Sequence, residues 1–304
     1  MPQTISTDRD VVWSLLLAAG QNAERTAHAG QSVADAEAII SWRPEVGWEN
    51  RLPPDDPRSA FLDLYLPICS ATGAHPVTVG HLGQSLDGFI ATHAGESQWV
   101  TGQENIVHLH RLRALSDAVI VGAGTVAADD PQLTTRLVPG PNPLRVILDP
   151  TRRLTSIYRV FNDDAAETMY ACARSLVRPG EDRVGRATVI GLHDSADGVA
   201  GINLAELVHL LRERGCTRIF VEGGGVTVSM FLAANLLDRL HVAVAPLIIG
   251  DGKPAIRLPP RALGDCHRPR YRVFRMGGDV LFDCEINTRG DDNPAGDTDV
   301  VRVI

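Results

Sequence analysis

From His75 onward the chain repeats one pattern, an apolar strand-like run followed by a segment of helical spacing. The runs are VTVGHL, DAVIVG, LRVILD, TMYACA, ATVIGL, RIFVEG and LHVAVAPLIIG. Near-continuous apolar strands are those buried on both faces, and strands alternating with helices are joined by crossovers. The pattern therefore dictates an α/β fold with a mostly parallel central sheet and flanking helices. Three helices are marked by their ends. Thr101-Gly-Gln-Glu104 has the form of a capping box and predicts a helix to about Leu115. Asn203-Leu-Ala-Glu206 has a similar form, with Leu204, Leu207, Val208 and Leu211 on one face before Gly215. The third helix follows VEGGG. YRVFRMGGDVLFDCEI, two alternating runs about Gly277 and Gly278, predicts an antiparallel C-terminal hairpin.

Residues 1–74 differ in texture and read as a partly helical accessory extension. DRDVVWSLLLAAG predicts a short helix stopped by Gly20, and VADAEAII a second. RPEVGWENRLPPDDPRS, rich in proline and charge, reads as a solvated connector. The polar end, residues 288–304, reads as a flexible tail, leaving 75–287 as the main domain.

Composition narrows the function classes. The net charge of −8 is spread without a basic block, which argues against a nucleic-acid surface. No apolar run approaches the ~18 residues that span a bilayer, and MPQTISTDRD has neither a basic start nor an apolar signal stretch, so the expectation is a soluble, cytoplasmic protein without a membrane partner. Lys253 is the sole lysine among 29 basic residues, so arginine and backbone N–H groups must serve any phosphate. The cysteines at 69, 172, 216, 266 and 284 lack metal-ligand spacing and are expected to be buried reduced thiols, with no metal site.

Two glycine runs compete as phosphate cradles. Gly122, Gly124 and Ala127 fit G-x-G-x-x-A, but Asp129, Asp130 and Pro131 follow too closely for a long phosphate-binding helix. No acidic residue ends a second strand roughly 20 positions on, as a dinucleotide fold requires. RIFVEGGG is the better cradle, because a strand empties into three glycines and a helix then begins. Glu222 stands beside them and reads as facing a substrate with N–H donors, such as an aminopyrimidine; the alternative is a solvated or arginine-paired carboxylate. GDGKP fails as a P-loop, since Pro254 occupies the Ser/Thr position, and reads as a loop.

SLDGFIA, ESQWVT, RLRAL, GAGTVAADDPQLTTR, NPLRVILD and VEGGG with FLAANLLDRL occur in one order. Together, over roughly residues 76–285, they resemble the bacterial riboflavin-biosynthesis reductase domain, which has a dihydrofolate reductase-like fold. The resemblance implies NADPH as cofactor, contacted by Gly83, Trp99, Thr125 and Asp129, with Gly223, Gly224, Gly225, Val226, Thr227, Val228 and Ser229 at its diphosphate. It places Ser97, Arg113, Leu133, Arg136 and Glu222 on the substrate side, and it implies a homodimer. The implied reaction is hydride transfer to C1 of the opened ribosylamino group of an aminopyrimidine ribose phosphate. No catalytic proton donor is identified. Two positions depart from the family pattern: His81 stands where lysine is usual, and Phe89 where a basic or polar residue follows Asp-Gly. A pterin reductase, or a non-catalytic NADP-binding regulatory protein, are the other readings. Arg152, Arg153 and Arg174, near strand ends, are candidates for the 2′-phosphate. Residues 1–74 carry neither the H-x-E nor the P-C-x-x-C signature of a zinc deaminase.

Overall fold

The structure, a computed structural model, describes residues 4–30, 33–34, 39–195 and 201–286; the expected tail at 288–304 lies outside them. The chain divides into two compact units, Met1–Val77 and Thr78–Ile304.

In the first unit α1 (Thr4–Ala29) precedes a small antiparallel sheet of β1 (Val33–Ala34), β2 (Ile40–Arg43) and β3 (Gly47–Asn50), followed by α2 (Ser59–Cys69). Three expectations are corrected here. The first helix runs through Gly20, because Val12, Leu16, Ala19 and Ala23 continue one buried stripe whose packing outweighs the ~1 kcal/mol cost of a helical glycine. The helix expected over VADAEAII does not begin at Val33–Ala34, which pair as a strand with Ser41–Trp42, and Ile40 is already in β2; residues 35–38 lie outside the described residues. The presumed connector contains β3, whose Trp48 meets Trp42 edge-on at 5.4 Å and donates its indole N–H to the Ala19 carbonyl. Helix α2 was masked by Pro67 inside it, although Leu62, Tyr65, Leu66 and Cys69 have helical spacing and are buried.

The second unit is built on a ten-stranded sheet. Its elements in chain order are β4 (Val77–Ser85), β5 (Phe89–Thr92), α3 (Gln103–Leu115), β6 (Ala118–Gly122), α4 (Ala123–Asp129), β7 (Leu144–Leu148), α5 (Arg159–Asn162), β8 (Thr168–Ala173), β9 (Arg183–Val184) and β10 (Ala187–Leu192). There follow α6 (Leu204–Glu213), β11 (Arg218–Glu222), α7 (Gly225–Ala233), β12 (Arg239–Ala245), β13 (Gly252–Pro254), β14 (Arg270–Met276) and β15 (Asp279–Glu285). The strand order is β14-β15-β12-β4-β11-β6-β7-β8-β10-β9. The pairs β12–β4, β11–β6, β6–β7, β7–β8 and β8–β10 are parallel; β9, β14 and β15 pair antiparallel. Every residue of β6 and β8 is buried, as their unbroken apolar runs require. Of the five cysteines expected to be buried, Cys69, Cys172 and Cys216 are, whereas Cys266 is exposed and Cys284 half-buried. The C-terminal hairpin forms as expected, turning at Gly277 with φ +64°.

The topology places a crevice. The chain steps outward through β6, β7, β8 and β10, then returns to insert β11 between β4 and β6. Connections diverge at that point, and in open α/β sheets ligands occupy the crevice outside the strands' carboxyl ends there. Two local expectations change. The capping box at Thr101 does not form: Gly102 is the N-cap, its N–H donates to Asp279 Oδ2 at 2.7 Å, and Thr101 Oγ1 accepts from Asn105. GDGKP is not wholly a loop, since β13 pairs with β5. The Asn203 cap forms as expected, accepting from the Glu206 N–H at 3.0 Å.

Candidate active site

A cavity of about 840 Å³ opens at the carboxyl ends of β4, β11, β6 and β7. One wall comes from β4 and α3, with His81, Gly83, Thr101 and Asn105, and from the segment carrying Ser97. The floor is the turn from β11 into α7, Glu222 to Thr227. The opposite wall comes from α4, with Gly124, Thr125 and Asp129, and from Thr151 and Arg153 after β7. Lys253 and Arg257 add positive charge.

The three floor glycines have different reasons to be glycine. Gly223 has φ +113°, a conformation side chains rarely adopt. A Cβ on Gly225 would lie 2.0 Å from the Ala255 carbonyl oxygen, so close backbone packing excludes one. Gly224 has φ −65°, and a Cβ there would meet only Thr125 Oγ1, at 3.6 Å. Gly124 would meet nothing within 4 Å. The fold thus requires no glycine at 224 or 124, yet both border the cavity. No side chain caps α7, so the first N–H groups and the positive end of the helix dipole are turned to the crevice.

Glu222 ends β11 and is the acid of the floor. Arg113, from the last turn of α3, donates Nε–H to Glu222 Oε2 at 2.8 Å and Nη2–H to Oε1, and gives Nη1–H to the Thr134 carbonyl at 3.1 Å. Both side chains are about nine-tenths buried. Glu222 is paired with an arginine and also lines the cavity. A bidentate guanidinium fixes the carboxylate plane while leaving its edge at the cavity. The D-D-P-Q-L-T-T-R segment closes behind: Leu133 is buried with φ +56°, and Arg145, fully buried, holds the Gln132 carbonyl at 3.2 Å.

Of the residues anticipated from sequence, the structure brings Gly83, Ser97, Thr125, Asp129, Glu222, Gly223, Gly224, Gly225, Val226 and Thr227 to one cavity. It does not bring the rest. Trp99 is 79% exposed with φ +71° and lies off the wall. Val228 packs in the core, and Ser229 Oγ accepts the Arg257 N–H at 2.8 Å, because these positions of α7 turn away from the crevice. Arg113 and Leu133 stand behind Glu222, and Arg136 is exposed with Nη1 on Thr134 Oγ1. Sequence reading missed Asn105, Thr151, Lys253 and Arg257. Lys253, the sole lysine, directly after a glycine that β5 pairing demands, was the one available signal.

Residues 77–263 match the RibD C-terminal domain family. The chain is 36% identical over 182 residues to the 2,5-diamino-6-ribosylamino-4(3H)-pyrimidinone 5′-phosphate reductase of Methanothermobacter thermautotrophicus, covering 58% of this chain and 80% of that one. It is 33% identical over 201 residues to the riboflavin biosynthesis protein RibD of Aquifex aeolicus, covering 66% of this chain and 54% of that protein. Among solved structures, the deaminase/5-amino-6-(5-phosphoribosylamino)uracil reductase of Thermotoga maritima superposes with a TM-score of 0.57 at 27% identity, over 75% of this chain and 60% of that one. The chain therefore spans little more than half the length of the bifunctional relatives. The matched segment contains the crevice, its glycine floor and the Glu222–Arg113 pair, and the chain belongs to the RibD C-terminal domain family.

Proposed function

We propose that the chain is an NADPH-dependent reductase of an aminopyrimidine ribose 5-phosphate. The observation that carries this is the floor of the crevice. Two glycines that packing does not demand border it, beside an uncapped helix N-terminus and a buried carboxylate fixed by arginine. The N–H groups at the start of α7, with Gly224 and Gly124 allowing close backbone approach, suit a diphosphate. Gly83, Thr125 and Asp129 are the proposed contacts to the rest of the cofactor; Val228 and Ser229 pack behind the first turn of α7 that faces it. When bound, a reduced nicotinamide supplies the hydride for C1 of the opened ribosylamino group.

The protein's own part is to hold, orient and dry the reactants. Glu222 accepts N–H donors of the aminopyrimidine, and Arg113 keeps it aimed. Ser97 completes the substrate side. Arg113 is engaged by Glu222, so Lys253 and Arg257, which line the cavity, are the proposed cations for the substrate phosphate, with Arg136 also proposed on the substrate side. Leu133 shapes the segment that carries Arg136. The proposed assembly is a cytoplasmic homodimer, and residues 1–74 are proposed as an accessory unit outside the chemistry.

The three arginines considered for the 2′-phosphate separate by their partners. Arg152 is tied to Glu181 and the Leu176 carbonyl, and Arg174 to His193 and Glu206. Arg153 is two-thirds exposed, 3.7 Å from Asp149, and borders both the cavity and an adjoining arginine-lined cleft. Oxidation of NADPH and NADH, followed in parallel with the ribosylaminopyrimidine phosphate, tests the reading. The expected result is turnover with a preference for NADPH, which Arg153→Ala reduces about tenfold, the scale of one exposed charge-assisted phosphate contact. Equal use of the two cofactors by the native chain contradicts the NADPH assignment.

A further inference from the structure

The wall formed by β4 and α3 carries a group without a role in the reading above. His81 is 3% exposed yet borders the cavity. Its Nε2 lies 2.9 Å from Asn105 Oδ1, and Asn105 in turn donates Nδ2–H to Thr101 Oγ1 at 2.9 Å. An amide whose NH₂ is engaged by Thr101 presents its carbonyl to the imidazole, so His81 carries its proton on Nε2 and keeps a lone pair on Nδ1. Among the described residues Nδ1 has no hydrogen-bond partner, and it is not one of the enclosed unsatisfied atoms, so it opens on the cavity.

Titratable groups from three elements face this ring. His108 of α3 lies 5.4 Å away between centroids, His241 of β12 is its cross-strand register partner, and Glu222 of β11 acts from the floor. His108 Nε2 is 3.0 Å from His241 Nδ1, and His241 is 3.3 Å from Asp283, a carboxylate gripped by Arg239 and Arg272. Burial, and then the electrostatic effect of the neighbouring His241, push the His81 imidazole down to about 4 against the opposing effects of Asn105 and Glu222. At neutral pH the ring is an uncharged acceptor. A ring that is neutral at this pH has no charge to offer the substrate phosphate, so His81 does not replace the lysine usual at this position as a cation.

We propose that His81 is a specificity-determining residue for the reaction proposed above, on which this inference rests: Nδ1 accepts a hydrogen bond from an uncharged N–H donor of the aminopyrimidine, and Asn105 and Thr101 are positioning residues that fix the tautomer. With Glu222 it gives the crevice two acceptors, which match a donor-rich heterocycle and give nothing to a phosphate.

The test uses the whole chain with oxidised cofactor and titrates 2,5,6-triaminopyrimidin-4-one, the base alone, by calorimetry, so turnover is not needed. His81→Ala is expected to weaken base binding about tenfold, the scale of one lost buried hydrogen bond, with cofactor affinity unchanged. Asn105→Asp sets a carboxylate on Nε2 and raises the imidazole toward neutrality. Base affinity, flat between about pH 6 and 8 in the native chain, is then expected to fall as pH falls, because protonation removes the Nδ1 lone pair. Absence of base binding by the native chain, unchanged binding by folded His81→Ala, or a flat profile in folded Asn105→Asp each overturns the inference. Base binding without reduction of the ribosylaminopyrimidine phosphate leaves it standing and overturns the functional reading instead.

Discussion

Glu222→Ala is expected to abolish reduction and to lower stability by about 3–5 kcal/mol, because it strands the Arg113 guanidinium without its counter-charge. The two losses have separate causes. Replacing both partners, Glu222→Ala with Arg113→Met, removes the uncompensated charge, and a buried pair exchanged for apolar side chains is often close to neutral. The double variant should therefore recover most of the stability in urea unfolding while activity stays lost, since the acceptor on the crevice floor is gone. A single-variant cost below about 1 kcal/mol is what a solvent-exposed pair gives, and it would count against the buried, bidentate geometry.

Gly225→Ala and Gly224→Val are expected to part company. At 225 the new methyl falls 2.0 Å from the Ala255 carbonyl oxygen and 2.5 Å from that of Pro254. Backbone cannot swing aside as a side-chain tip can, so β13 must separate from the first turn of α7. A cost of at least the ~1–3 kcal/mol typical of overpacking follows. At 224, φ −65° and ψ 155° are open to any residue, and the nearest atom is Thr125 Oγ1 at 3.6 Å. Gly224→Val should unfold like the native chain yet bind NADPH about tenfold or more weakly, as lost close approach at a diphosphate implies. Native affinity in folded Gly224→Val would mean that the glycine serves the strand-to-helix turn alone.

The contrast between these glycines shows where sequence stops being legible. DAVIVG and TMYACA announce buried strands because their apolar runs are unbroken, and RIFVEGGG announces a strand emptying into a flexible turn. Which glycine the turn needs, which the packing needs and which neither needs depends on Thr125 and on the Pro254–Ala255 backbone, distant in the chain. The same holds for Arg113 and Glu222, 109 residues apart. A helical arginine looks solvated until the fold sets it against a strand end. His81 likewise reads as a free histidine until burial and the Asn105 carbonyl fix its tautomer. The first unit was read least well. Its signals are short strands and a helix with an internal proline, and such elements form through Trp48, Trp42 and the buried face of α1 more than through local propensity.

The proposed chemistry is tested most directly by the fate of the transferred hydrogen. The protein is incubated with NADPH deuterated at the nicotinamide C4 and the ribosylaminopyrimidine 5′-phosphate, and the product is examined by NMR. The expected result is a ribitylamino product with deuterium on C1. Failure to form that product, with dihydrofolate reduced under the same conditions, would contradict the assignment.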